Sequence, residues 1–145
     1  MTTYKKTNHL SPTDAAYIAG IIDGEGTIAL TRRHKNENRQ LEISVSNTEM
    51  NLLDYLLKTI GTGRITRKRT YSDKHTPSAT YIVSNRQALS LLEQIQPFLL
   101  TYKQYRAKLI LCDYLRLTPR NGKYTHKTLQ EREKFIETFL NTKPF

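Results

Sequence analysis

The sequence has 145 residues and a formal net charge of +10, from 23 Lys and Arg against 13 Asp and Glu. This length fits one domain with a hydrophobic core, and the positive charge favours a polyanionic partner, with nucleic acid ahead of an anionic membrane. The single cysteine, Cys112, excludes an intramolecular disulfide and a zinc site built from several cysteines. Because Cys112 lies in an apolar run, we expect its side chain to be buried.

Residues 1–10 are polar and contain no apolar run of the kind that signal peptides carry. The longest apolar stretch, residues 15–22, is much shorter than a membrane span. We therefore expect a protein that has no membrane partner and stays inside the cell, either in the cytoplasm or in an organelle that encodes it.

The first predicted helix begins at Ser11, whose hydroxyl can cap it, with Pro12 at the first helical position and Asp14 in the first turn. It runs to Ile22 and ends within the glycine-containing segment 23–26. Alternating segments predict strands at residues 27–33, 40–46, 64–70 and 80–84. Helical spacing or caps predict further helices at residues 48–58, 86–96, 101–117 and 127–140. The order αββαββα with an extra C-terminal helix predicts an α+β fold.

Both predicted hairpins have one aliphatic and one polar face, as antiparallel sheets with one open side commonly do. The basic residues predicted on the polar face are Arg32, Arg33, Lys35, Arg39, Arg64, Arg67, Lys68 and Arg69. A two-stranded ribbon fits the major groove of DNA, so this face is a candidate for DNA binding. A solvated basic face without a partner also explains the pattern.

Small residues recur every four positions on the first helix, at Ala16, Gly20 and Gly24, and such a ridge lets two helix backbones approach closely. The ridge packs either against a helix of the same chain or against a second copy. In a symmetric pair, Glu25 would lie near its counterpart, and two close carboxylates repel unless a divalent cation such as Mg²⁺ lies between them. Dinucleotide-binding, P-loop, HExxH and EF-hand motifs are absent from the sequence.

The segment Ala19–Gly26 resembles the LAGLIDADG signature of homing endonucleases, and the resemblance extends over residues 11–117. It implies that family's fold, in which an antiparallel sheet forms a saddle over DNA. Accordingly, we divide the chain into a tail of residues 1–10, an endonuclease domain of residues 11–117 and a helical extension of residues 118–145.

The resemblance also implies roles for individual residues. Glu25 matches the family's metal-binding acid, and Gly24 supplies a carbonyl ligand. Asn47 matches a polar residue that positions water or metal near the scissile phosphate. Lys103 matches a basic residue that stabilises the charge developing on that phosphate. Asp23 matches an acid at the end of the first helix.

Only one copy of the motif is present, and family members of that kind are homodimers. The first helix is therefore the expected dimer interface, with Ala16, Gly20 and Asp23 in it. A two-fold pair would bind a long, near-palindromic site in double-stranded DNA. The implied activity is intron homing, in which phosphodiester bonds are hydrolysed with Mg²⁺, or Mn²⁺ in its place, to leave staggered 3′ overhangs.

The residues expected to contact DNA lie on the polar strand positions and in the first hairpin connection. They are Thr31, Arg33, Lys35, Gln40, Glu42, Ser44, Ser46, Arg64, Thr66, Lys68, Thr80 and Ile82. Arg and Gln can bind base edges through two hydrogen bonds, while Glu42 has the alternative role of holding an arginine in place.

The main alternative is a nucleic-acid-binding protein without catalysis, either an intron splicing cofactor or a transcription regulator. The presence of Glu25 opposes that alternative, but binding of intron RNA is compatible with the nuclease activity.

Overall fold

The protein is described by a computed structural model, which covers residues 6–67, 77–119 and 122–144. Its helices are α1 (Pro12–Glu25), α2 (Met50–Ile60), α3 (Asn85–Ile95), α4 (Tyr102–Asp113) and α5 (His126–Asn141), with a 3₁₀ turn at Gln96–Phe98. Its strands are β1 (Gly26–Thr31), β2 (Gln40–Asn47), β3 (Arg64–Arg67) and β4 (Ala79–Ser84). The predicted αββαββα order and α+β class are confirmed. Within the described ranges no helix is long and apolar enough to cross a membrane.

The four strands form one antiparallel sheet in the order β1-β2-β4-β3, so β2 and β4 are the inner strands. Ile43 pairs with Ile28 on one side and with Val83 on the other, and all three side chains are buried. Successive strand residues point to opposite faces, so this row marks the core face, which the helices cover. The opposite face carries no helix among the described elements, and we call it the open face.

Helix α1 begins as the sequence predicts, because the Ser11 hydroxyl accepts a hydrogen bond from the Asp14 backbone N–H at 3.1 Å. The helix runs through residues 23–25, beyond its predicted end at Ile22, because the Gly26 N–H still donates to the Ile22 carbonyl. At Gly26 a Cβ would lie 2.7 Å from the Cα of Ile22. Only glycine therefore fits where the chain turns directly from helix into strand.

Residues at both ends of the described chain pack into the same core. Leu10 is buried, and its N–H donates to Gln94 Oε1 at 2.7 Å. Phe135 and Phe139 of α5 are buried in the cluster that contains the sheet residues. The segment 118–145, treated above as an extension, thus contributes directly to the core, and so does the last residue of the predicted tail.

Several predicted boundaries and one predicted burial are wrong. Strand β1 ends at Thr31, because Arg32 turns to donate to the Lys35 carbonyl at 3.0 Å within the hairpin connection. Helix α4 ends at Asp113 and continues only as a turn. Cys112 is exposed, since it lies on the outer side of α4 between core positions. The predicted strand residues 68–70 lie outside the described ranges.

Truncation of Phe139 tests whether α5 belongs to the core. Phe139→Ala should lower the free energy of unfolding by about 3–5 kcal/mol, the usual cost of removing a buried aromatic ring. Leu140→Ala is the matched control, because Leu140 follows on the same helix and is 37% exposed while Phe139 is fully buried. Urea unfolding of both variants measures the difference. Equal, small losses would show that α5 does not share the core.

Candidate carboxylate site and nucleic-acid interface

The small-residue ridge of α1 faces outwards. Ala16, Gly20 and Gly24 are all exposed, and a Cβ added at Gly20 or Gly24 would meet no atom within 4 Å. Over the described residues, therefore, no helix of the same chain packs on the ridge. Glu25, the last residue of the helix, is exposed at the end of this ridge.

A shallow groove runs beside the ridge towards the Glu25 carboxylate. Its lining residues are Ala16, Tyr17, Gly20, Ile21, Glu25, Asn47 and Leu52. Tyr17 is 53% exposed and packs edge-on against Tyr55, with 5.2 Å between the ring centroids. Tyr55 in turn donates to Asp14 at 2.8 Å, and burial together with this carboxylate raises the pKa of Tyr55 to about 12. The aromatic pair thus fixes one wall of the groove.

Asn47 holds the Glu25 carboxylate. Its Nδ2 donates to Glu25 Oε2, while its Oδ1 accepts the backbone N–H of Glu49 at 2.8 Å. Because the Glu49 N–H can bond only to the oxygen, the amide must present its NH₂ group to Glu25. Asn47, predicted as a catalytic residue, therefore lies next to Glu25, with its oxygen turned away from the carboxylate.

Asp23 and Lys103 join the end of α1 to the start of α4. The Asp23 carboxylate accepts the N–H groups of Leu100 at 2.8 Å and Thr101 at 3.2 Å, as well as the Thr101 hydroxyl at 2.5 Å. Lys103 Nζ donates to the carbonyls of Ile22 at 2.8 Å and Asp23 at 2.9 Å. Each helix end thus satisfies the unpaired backbone groups of the other, with charges that match the helix dipoles.

These contacts, which we call the clamp, hold Lys103 at the end of the helix that carries Glu25. Lys103 is buried at 8% exposure. Desolvation lowers the pKa of the ammonium group, against the opposing effect of the Asp23 charge. The contacts of Asp23 also lie within its own chain. Thr101, which sequence reasoning missed, is part of the clamp; its position as N-cap of α4 was the available signal.

The open face carries most of the residues expected to contact DNA. The strand pairing brings to it Thr27, Ala29, Thr31, Gln40, Glu42, Ser44, Ser46, Arg64, Thr66, Thr80, Ile82 and Ser84. Arg33 and Lys35 are exposed in the connection between β1 and β2. Thr80 is only 7% exposed, and its hydroxyl lies 2.7 Å from that of Ser46. Lys68 and Arg69 lie outside the described ranges.

The prediction that this face is strongly basic is wrong for the described strands. Arg64 is the one basic residue on it and Glu42 the one acid, and the other positions of this face carry hydroxyl, amide or apolar side chains. Arg39 turns away to donate to the Leu30 carbonyl at 2.9 Å, and Arg67 alternates to the opposite face of its strand. Positive charge therefore borders the face, and its centre is mostly neutral.

One chain offers a divalent metal only part of a coordination sphere. No group of three or more His, Cys, Asp or Glu side chains converges among the described residues. Glu25 alone presents an exposed carboxylate at the site, with the exposed Gly24 backbone beside it. This donor set fits Mg²⁺, which is commonly held by one or two carboxylates while water and substrate phosphate supply the remaining oxygens.

Both a family profile and solved structures resemble this chain. A family profile described as a LAGLIDADG-like domain matches residues 12–96. The homing endonuclease I-CvuI, in complex with an I-CreI target and Mg, is 19% identical over 90% of this chain and 82% of its own, with a TM-score of 0.72. The archaeal intron-encoded homing endonuclease I-Vdi141I, complexed with DNA, is 15% identical over 90% and 84%, with a TM-score of 0.60.

The meganuclease I-CpaMI, bound to uncleaved DNA, is 14% identical with a TM-score of 0.64, and the match covers 92% of this chain but 49% of that one. At these identities the structural likeness shows the fold. No curated protein sequence matches the chain.

Removal of the Asp23 carboxylate tests the clamp. Asp23→Ala should lower the free energy of unfolding by about 1–2 kcal/mol, because the start of α4 loses its cap. Asp54→Ala, at an exposed acid of α2, is the control for the loss of one charge. If Asp23 acts within the chain, the loss in urea unfolding is the same at low and high protein concentration. A loss that appears only at high concentration would place Asp23 in an intermolecular contact.

Proposed function

This chain belongs to the LAGLIDADG family, and we propose that it is a homing endonuclease that cuts double-stranded DNA as a homodimer with a divalent metal. The observation that carries the proposal is the exposed Glu25 carboxylate at the end of an unoccupied small-residue ridge. A carboxylate in that position beside an open sheet face can meet a phosphate of DNA bound on the face.

The outward ridge of α1 supports the homodimer. A second copy of α1 can approach Gly20 and Gly24 closely because neither carries a Cβ. In such a two-fold pair the same residues meet across the axis, so each Glu25 approaches its counterpart. The structural match covers most of I-CvuI but only about half of I-CpaMI. This difference agrees with a chain that supplies one half of a two-fold site.

The residues around Glu25 support metal-dependent hydrolysis. Glu25 and the Gly24 carbonyl would hold Mg²⁺, or Mn²⁺ in its place, together with phosphate and water oxygens. When bound, the ion would polarise the scissile phosphate and lower the pKa of the attacking water. Asn47 keeps the carboxylate directed along the groove, and Lys103 fixes the helix end that carries it. The complexes of I-CvuI with Mg and with Ca support the use of a divalent ion.

The open face supports recognition of duplex DNA. Its four antiparallel strands offer hydroxyl and amide groups to base edges, and the net charge of +10 attracts the phosphate backbone. A homodimer would carry two such faces and would bind a long, near-palindromic site. Staggered 3′ overhangs and intron homing, with a possible additional contact to intron RNA, are the family properties that we propose for this chain.

Removal of the Glu25 charge tests catalysis. Duplexes that the wild type cuts, selected from a randomised library with Mg²⁺, should remain uncut when a chelator removes the metal. Glu25→Gln should retain binding and slow cleavage by about 10²-fold or more, the scale of one lost electrostatic contact in a transition state. Glu49→Gln, at an exposed acid nearby, should cut normally.

A Glu25→Gln variant that cuts at the wild-type rate would contradict the active-site assignment. A wild type that binds specific duplexes without cutting any of them would instead favour the splicing cofactor or regulator.

Filling the ridge at Gly20 tests the dimer. A side chain at this position meets nothing within its own chain, so Gly20→Leu should fold normally. Between two helices the added side chains clash, and overpacking typically costs about 1–3 kcal/mol. Sedimentation should show a wild-type dimer and a Gly20→Leu monomer that no longer cuts. Thr138→Leu, which introduces a leucine at an exposed position of α5, should remain dimeric. A dimeric, active Gly20→Leu variant would place the interface elsewhere.

A further inference from the structure

Glu42 places a carboxylate on the open face, in the row where β4 ends. It lies on the inner strand β2, with Ala29 directly opposite on β1 and Ser84 directly opposite on β4. Among the described strand residues of this face, Glu42 is the one acid. A negative charge on a surface that meets a polyanion weakens binding unless the nucleic acid offers it a hydrogen-bond donor.

The protein does not neutralise this carboxylate within the described ranges. Its one hydrogen bond there comes from the Thr31 hydroxyl, which donates to Oε2 at 3.3 Å. Arg39 is turned to a backbone carbonyl, and both ion pairs of the described chain are made by Arg116. The role of holding an arginine in place, left open by the sequence, therefore has no support in the structure.

The surroundings leave Glu42 accessible to a base. Ala29, its partner on β1, has only a methyl group and cannot cover the carboxylate, and Ser84 on the other side is equally short. The Thr31 hydroxyl lies 3.3 Å from one carboxylate oxygen and 3.5 Å from the Gln40 carbonyl, and it limits the orientations of the Glu42 side chain. The second oxygen, Oε1, has no hydrogen bond within the described ranges and is available to a donor outside the chain.

Cytosine is the base that suits such a group. In the major groove its N4 amino group is a donor, whereas guanine presents only the acceptors N7 and O6 and thymine the acceptor O4. Adenine presents a donor beside the acceptor N7, and N7 would repel the other carboxylate oxygen, Oε2. We propose that Glu42 is a specificity-determining residue that selects cytosine at one position of each half-site. This inference rests on the proposed DNA-binding function.

Selection of bound duplexes tests the inference without requiring cleavage. Wild type, Glu42→Gln, Glu42→Ala and Glu93→Gln are each used to select duplexes from a randomised library in Ca²⁺. Glu93→Gln is the matched control, because it removes one exposed acid from α3, which packs on the core side of the sheet. Glu42→Gln keeps the size of the side chain and should fold as the wild type does.

We expect wild type and Glu93→Gln to prefer cytosine at one symmetric position by about tenfold or more, the scale of one specific base contact. Glu42→Gln should change that preference to adenine, which glutamine binds through two hydrogen bonds, and Glu42→Ala should lose it. All other positions should keep their preferences.

An unchanged sequence preference in both Glu42 variants would overturn the inference while leaving the proposed function intact. A general rise in affinity without a change of base, shared by Glu93→Gln, would also overturn it, since the effect would then be one of net charge. A wild type that enriches no sequence at all would overturn the proposed function, and the inference with it.

Discussion

The clamp between the end of α1 and the start of α4 is the interaction on which the site depends. A helix that ends directly in a strand leaves carbonyl groups at its last turn, and here the Lys103 ammonium donates to that of Asp23 and gives the Ile22 carbonyl a second donor beside the Gly26 N–H. The Asp23 carboxylate in turn caps α4. Because both partners are fixed, Glu25 leaves the helix in one direction, towards Asn47 at the end of β2. The buried Lys103 ammonium thus helps to orient the exposed Glu25 carboxylate.

One side of helix α1 packs into the core, and the other side faces the proposed second chain. Ile18 and Ile22 are buried in the core, while Gly20 and Gly24 on the other side meet no atom of the described chain. This division explains why a helix without a clear polar face is stable at a surface. The core side packs against the sheet, and the glycine side is the one that we propose contacts a second chain.

The sequence predicted the elements that depend on local chemistry, such as the start of α1 at Ser11 and the alternation in β2. It could not predict properties set by distant contacts. The family resemblance gave Lys103 a role at the scissile phosphate, but its hydrogen bond to the Asp23 carbonyl, 80 residues away in the chain, depends on how α4 packs against α1. The neutral centre of the open face likewise depends on where Arg39 turns, and the register that sets Glu42 between Ala29 and Ser84 comes from three separate strands.

Mixed dimers test most directly whether two Glu25 carboxylates, one from each chain, form the cutting site. Wild type and Glu25→Gln chains are unfolded together, refolded at varied ratios and assayed for total strand cleavage, single-strand nicks included, of a selected duplex at constant total protein. The account predicts that cleavage falls with the square of the wild-type fraction, because both carboxylates must come from one pair. Cleavage proportional to the wild-type fraction would show that each chain cuts on its own and would contradict the account.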